Sequence, residues 1–169
     1  HLQAKGKEAW MTEFLINWNS NAAVAPRDFL WSTDAFTFFN AVNNAMLANT
    51  NAWIHYASKR YYAMLGDGQY GTTSGEITKR GYILSQFAKY TTGATRVECN
   101  WNDASNKLLG SSYISAKGDS VMVVIANTST DNYNLTMDLP FYTLGGKKVS
   151  TTETINFSEE SIVLSGEAC

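Results

Sequence analysis

The residue pattern of this chain changes character once, near residue 95, and that change limits what the chain can fold into. Before it, apolar strand-like runs alternate with segments of helical periodicity, the mark of a βα architecture. After it, short alternating runs follow one another with only turn residues between them. A parallel sheet must be covered on both faces and its strands paired on both sides. Two βα units cannot meet that demand alone, and a closed (β/α)8 barrel typically takes about 250 residues. The expectation is therefore α/β plus all-β. Residues 1–96 read as the last two βα units of a (β/α)8 barrel, and residues 97–169 as an attached β-sandwich side domain.

Individual elements follow from local chemistry. Leu2 to Lys7 reads as the tail of a helix with a glycine stop, and Glu8 to Phe14 as a short strand. A loop holding Pro26 comes next. Ser32 and Thr33 offer N-caps to a helix whose stripe is Phe36, Phe39, Asn43 and Leu47, with Ala35, Val42 and Met46 beside it. Ala52 to Ala57 is the second strand. A glycine-rich loop from about Tyr61 to Glu76 leads to Thr78, which can cap a second helix carrying Ile83, Leu84, Phe87 and Ala88. Gly93 suits its end.

Beyond residue 96, Tyr113 to Ala126 reads as a hairpin turning at Lys117-Gly118-Asp119. Asn134 to Leu139 alternates at period two, and Gly145-Gly146 marks another turn. The last residues, Ile162 to Cys169, read as a strand and turn with nothing to pair onto, so the sandwich is expected to lack its last strand. Both ends look cut.

Charge and composition exclude several function classes. The formal net charge is −2 and no basic stripe occurs, so nothing favours nucleic acid or an anionic membrane surface. No apolar run reaches the ~20 residues that cross a bilayer. Cys99 and Cys169 allow one disulfide or two free thiols, and no CxxC or His-rich cluster points to a metal. No cofactor is expected. Aromatic residues make up 13 %, which suits sugar stacking and core filling alike.

One carboxylate stands out. Glu13 lies at the C-terminal end of an apolar strand, which in a barrel is the catalytic face. A carboxylate there can attack an anomeric carbon, and retaining glycosidases use two carboxyls about 5–5.5 Å apart. From position alone a capping or surface glutamate is the blander reading.

The residues around Glu13 resemble a known family. Trp10-Met11-Thr12-Glu13 resembles the nucleophile strand of glycoside hydrolase family 30, particularly its bacterial xylanases. Lys59-Arg60-Tyr61-Tyr62, then the run from Thr78-Lys79-Arg80-Gly81-Tyr82 through Ser85-Gln86-Phe87, is similar to the eighth βα unit of those enzymes. The resemblance is dense from about residue 8 to 97 and continues over the sandwich in pattern only.

It implies a xylanase with a relaxed branch requirement, or an enzyme cutting another β-linked polymer, because the site residues depart from the pattern. Glu13 matches the nucleophile of double displacement. The general acid of such enzymes lies on the fourth barrel strand, upstream, so the remaining barrel is needed in the same or a second chain. Glu76, in the glycine-rich loop, reads as solvated. In members that depend on a glucuronic acid branch, the eighth strand and its loop supply a Trp, an Arg four residues later and a Tyr two beyond that, and the Arg pairs with the sugar carboxylate. The matching positions are read as His55, Lys59 and Tyr61, of which only Tyr61 is kept. Lysine lacks the planar fork that grips a carboxylate at two points. Leu15 and Trp18 replace polar residues expected after the nucleophile. These departures argue against strict glucuronate dependence.

His55 has two readings, a scaffold histidine at a strand end or a sugar-subsite residue. Trp53 and Tyr56 are expected on opposite sides of the strand, so at most one of them faces the cleft. The resemblance implies a retaining endo-β-1,4-xylanase acting on plant xylan or a related β-linked polysaccharide. The alternatives are a non-catalytic carbohydrate-binding or structural module and an exo-acting β-glycosidase of the same family. A polymer substrate implies secretion or a periplasmic location. Asn127, Asn134 and Asn156 begin Asn-x-Ser/Thr triplets, which matter in a eukaryotic secretory host.

Overall fold

The computed structural model describes residues 2–15, 34–100, 106–144, 147–155 and 163–167. The Pro26 loop, the capping residues Ser32 and Thr33, Trp18, the Gly145-Gly146 turn, Asn156 and Cys169 lie outside the described residues. The chain divides into two compact units, His1–Tyr90 and Thr91–Cys169.

The first unit begins with a short 3-10 turn, Gln3–Lys5, closed by Gly6 at φ 63°. Strand β1 (Trp10–Phe14), helix α1 (Asp34–Leu47) and strand β2 (Ala52–His55) follow. β1 and β2 pair in parallel, so α1 is the crossover between them, as the alternating pattern requires. The Ala9 carbonyl accepts from the Asn51 N–H at 2.7 Å, and the Asn51 Oδ1 accepts from the Ala9 N–H at 2.9 Å. One asparagine thereby locks the bottom of the pair.

Phe38, Phe39, Val42 and Ala35 form the buried side of α1, with the polar Asn43 beside them. The expected stripe is rotated: Leu47 is exposed and Phe36 only half-buried. Phe38 is fully buried because it sits edge-on to Trp53, with ring centroids 5.8 Å apart. Periodicity put Phe36 and Phe39 on the seam, and packing buries Phe38 against Trp53 and Phe39 against Phe87.

Helix α2 (Lys79–Thr91) begins as its sequence dictates. The Thr78 hydroxyl accepts from the Gly81 N–H at 3.2 Å and donates to the Ala63 carbonyl at 2.6 Å. It is both the N-cap and the tie that holds the preceding loop to the helix. Gly81 is needed because a Cβ there would come within 2.5 Å of the Met64 carbonyl oxygen. The buried side of α2 is Arg80, Ile83 and Phe87, and Phe87 meets Phe39 of α1 at 5.3 Å.

In the second unit, strands β3 (Thr95–Val97), β4 (Leu108–Ile114), β5 (Ser120–Asn127) and β8 (Val163–Glu167) form one antiparallel sheet in the order β3-β4-β5-β8. Strands β6 (Tyr133–Leu144) and β7 (Lys147–Ile155) form a second, two-stranded antiparallel sheet. β4 and β5 make the expected hairpin, with Gly118 at φ 74° in the turn. The Ser115 hydroxyl donates to Asp119 at 2.6 Å, and with the Ser120 hydroxyl holds that carboxyl below its ordinary range. Tyr113, Met122, Val123 and Val124 supply buried apolar surface.

One expectation is corrected here. The final segment does have a partner: β8 runs antiparallel to β5 with Ser120 opposite Glu167 and Val124 opposite Val163. Local pattern identified the strand but carries no information about a pairing partner forty residues away.

Candidate active site

The parallel pairing brings the C-terminal ends of β1 and β2 to one edge. Phe14 lies opposite His55, and the Tyr56 N–H donates to the Phe14 carbonyl at 2.9 Å. Glu13 therefore stands beside the last residues of β2, as two successive barrel strands would place it. Between Met11↔Trp53 and Phe14↔His55 the register slips, three steps on β1 against two on β2. The extra residue falls at Thr12-Glu13. A bulge of this kind re-aims a side chain and is over-represented beside active sites. Glu13 is exposed.

The two sides of β2 differ sharply. Trp53 and His55, two residues apart, share one side, with ring centroids 6.1 Å apart. That side meets α1: Phe38 lies 5.4 Å from His55, and Phe14 packs on Trp53 at 5.2 Å. Ile54 and Tyr56 alternate with them and are 49 % and 48 % exposed. The open face, on which Glu13 is also presented, thus carries Tyr56.

This bears on the two readings of His55. It is 8 % exposed and packs under α1, an environment that suits the scaffold role. The physical reason is strand alternation: a ring that meets the helix cannot also face the opposite side. Neither ring nitrogen has a well-formed hydrogen-bond partner. Burial, reinforced by the charge of Arg80, lowers the pKa of His55 to about 4, and the Ala57 backbone offsets this only in part. The imidazole is neutral at neutral pH.

Counted from Tyr56, a residue four later is Arg60, and the one two beyond that is Tyr62. Tyr56 and Tyr62 stack, with centroids 6.4 Å apart and 22° between planes. Lys59 is exposed and bridges Leu65 through its backbone, while the Arg60 N–H donates to the Leu65 carbonyl at 3.0 Å. Tyr61 meets Tyr62 edge-on at 4.7 Å, and burial, with Tyr62 and Tyr70 alongside, pushes its phenol above the ordinary range.

The sequence reading did not single out Tyr56, Arg60 or Tyr62, of which Tyr56 and Arg60 are exposed and Tyr62 is buried. The face alternation of Trp53-Ile54-His55-Tyr56 was the signal that separates Tyr56 from His55. The peptide bond after Tyr56 is cis. Glu76 is exposed in its loop, in agreement with its reading as solvated. Among the described residues no three His, Cys, Asp or Glu side chains cluster as a metal site would require, and no helix is long and apolar enough to cross a membrane.

No protein-family signature matches the chain, and no curated protein does. Solved structures do. A glycoside hydrolase family 30 endoxylanase from Clostridium papyrosolvens C71 superposes with a TM-score of 0.64 at 20 % identity, covering 98 % of this chain and 41 % of that one. A family 30 subfamily 8 xylanase from Clostridium acetobutylicum gives a TM-score of 0.64 at 20 % identity, over 99 % of this chain and 42 % of that one. The catalytic domain of a family 30 xylanase from Talaromyces cellulolyticus gives 0.59 at 12 % identity, over 77 % and 30 %. The chain thus spans about two fifths of the length of the first two. Its fold is that of part of a glycoside hydrolase family 30 xylanase, and it fits that family's C-terminal region.

Proposed function

We propose that this chain is part of a retaining glycoside hydrolase acting on xylan or a related β-linked glycan, with Glu13 as its nucleophile. The observation that carries this reading is the position of Glu13. It is exposed at the C-terminal end of a parallel strand, at a bulge, beside a second strand that leads into Tyr56. The likeness to family 30 xylanases supports the reaction class.

In this mechanism the Glu13 carboxylate attacks the anomeric carbon as the glycosidic bond breaks, forming a glycosyl-enzyme ester. Water then attacks that carbon, releasing the sugar and the carboxylate. The acid that protonates the leaving oxygen, and later deprotonates the water, belongs to the barrel strands outside this chain. An enzyme of this kind, acting on an insoluble polymer, works in a secreted or periplasmic setting.

Tyr56 and Arg60, both exposed, are the substrate-facing residues in this reading, and the buried Tyr62 backs the Tyr56 ring. Arg60 restores the planar fork that Lys59 lacks, so a carboxylate on a branch sugar is again an available ligand. Lys59 and Tyr61 flank that set. The test is Glu13→Gln in the complete enzyme, assayed on glucuronoxylan and on arabinoxylan. Turnover should vanish while polymer binding persists. Undiminished hydrolysis in the variant would remove Glu13 from the mechanism. Polysaccharide affinity that survives deletion of residues 1–95 would instead favour a binding module, and monomer-only release an exo-acting enzyme.

A further inference from the structure

The loop joining β2 to α2 holds a feature the reaction does not use. Tyr70 is 54 % exposed yet sits at φ 48°, a left-handed conformation unusual for a bulky side chain. It lies between Gly68 and Gly71, both also at positive φ. The turn is fixed on each side: the Gln69 N–H donates to the Asp67 carboxylate at 3.1 Å, and the Gln69 carbonyl accepts from the Thr72 N–H at 3.1 Å and its hydroxyl at 2.8 Å. The base of the loop is closed by Gly66 N–H to Glu76 carbonyl and Gly75 N–H to Gly66 carbonyl, each 2.9 Å.

Tyr70 is also supported from below. Its ring meets Tyr61 at 4.6 Å and 65°, Tyr61 meets Tyr62 at 4.7 Å, and Tyr62 stacks on Tyr56 at 6.4 Å. These four rings form a continuous chain from the end of β2 outward, with Tyr70 as its outermost member. A strained, exposed ring held by a closed turn and backed by another ring is a preformed surface, since an unused tyrosine would relax into a commoner conformation.

We propose that Tyr70, backed by Tyr61, is an aromatic platform for a remote sugar unit of a neutral polysaccharide chain. The inference rests on the glycosidase reading and extends it beyond the site at Glu13. Residues 66–76 contain Asp67 and Glu76 and no Lys or Arg, which disfavours a polyanion. They offer instead Gln69, Thr73 and Ser74, exposed in the same loop. A flat apolar face rimmed by neutral hydrogen-bonding groups matches a sugar ring, which presents C–H bonds on its face and hydroxyls at its edge. A protein partner would call for a broader apolar patch than one ring supplies.

The test is calorimetric titration with xylobiose and xylohexaose in a Glu13→Gln background, which prevents turnover. Tyr70→Asn removes the ring with a residue that takes the left-handed conformation readily. Tyr70→Phe keeps the ring and removes only the hydroxyl. We expect Tyr70→Asn to weaken xylohexaose binding about three- to tenfold, the range of one aromatic contact. Xylobiose binding should not change, and Tyr70→Phe should match the parent. Unchanged hexaose binding in Tyr70→Asn, or equal loss for both sugars, overturns the platform. So does failure of the parent to bind hexaose more tightly than biose. Tyr70-dependent hexaose binding alongside turnover that ignores Glu13 would retain the platform and sink the catalytic reading alone.

Discussion

The burial of His55 makes the stability of the first unit depend on pH in a way that can be calculated. In the unfolded chain this imidazole titrates near 6.5, and in the folded unit at about 4. The folded-state value is depressed, so the unfolded chain binds more protons between those two values. Stability is therefore full above pH 6.5 and falls as pH drops towards 4. At pH 5 the unfolded side chain is almost wholly protonated and the folded one mostly neutral. Linkage gives a loss of about 2 kcal/mol between pH 7 and pH 5 from this one group. The perturbation is His55→Gln, which keeps a polar side chain of similar size but cannot titrate. Urea unfolding of both proteins at pH 7 and pH 5, followed by tryptophan fluorescence, isolates the term as a difference of differences. Trp53, whose ring lies 6.1 Å from His55, reports on the right region. The wild type should lose about 2 kcal/mol more than the variant on going to pH 5. Equal losses in the two proteins would refute the argument, as would an imidazole NMR titration of His55 with a midpoint near 6.5.

Two further substitutions test the packing and the cap that position the site. Phe38→Ala removes a fully buried ring that touches both Trp53 and His55, and should cost about 3–5 kcal/mol in denaturant unfolding. Thr78→Ala loses the cap on Gly81 and the tie to Ala63 together, so about 1–2 kcal/mol is expected at pH 7. Its readout is a lower urea midpoint with an unchanged slope.

The bulge at Thr12-Glu13 links the fold to the proposed chemistry. A nucleophile must be held with its carboxylate towards the substrate, while the neighbouring Phe14 packs on Trp53. An extra residue in one strand lets both demands be met within five residues. The Asn51 bond to Ala9 fixes the other end of the pair, so the slip is confined to the edge where Glu13 stands.

Much of this architecture is written in local sequence. The alternation of strand and helix signals before residue 95, the Thr78 cap, the glycine of the β4–β5 turn and the strand carrying Glu13 are all set by neighbouring residues, through hydrogen bonds and backbone preferences that span a few positions. The residues of the proposed site were legible for the same reason at Glu13, whose place at a strand end needs no partner to be read. Three matters belonged to the tertiary structure. Which of Phe36, Phe38 and Phe39 would be buried depended on where Trp53 lay. The final strand needed β5 to pair with, and hydrogen bonds between distant segments leave no trace in local periodicity. Above all, the choice of Tyr56 over His55 for the open face was made by α1. Alternation says that the two residues point opposite ways, and only the helix packed against Phe38's side says which way is out.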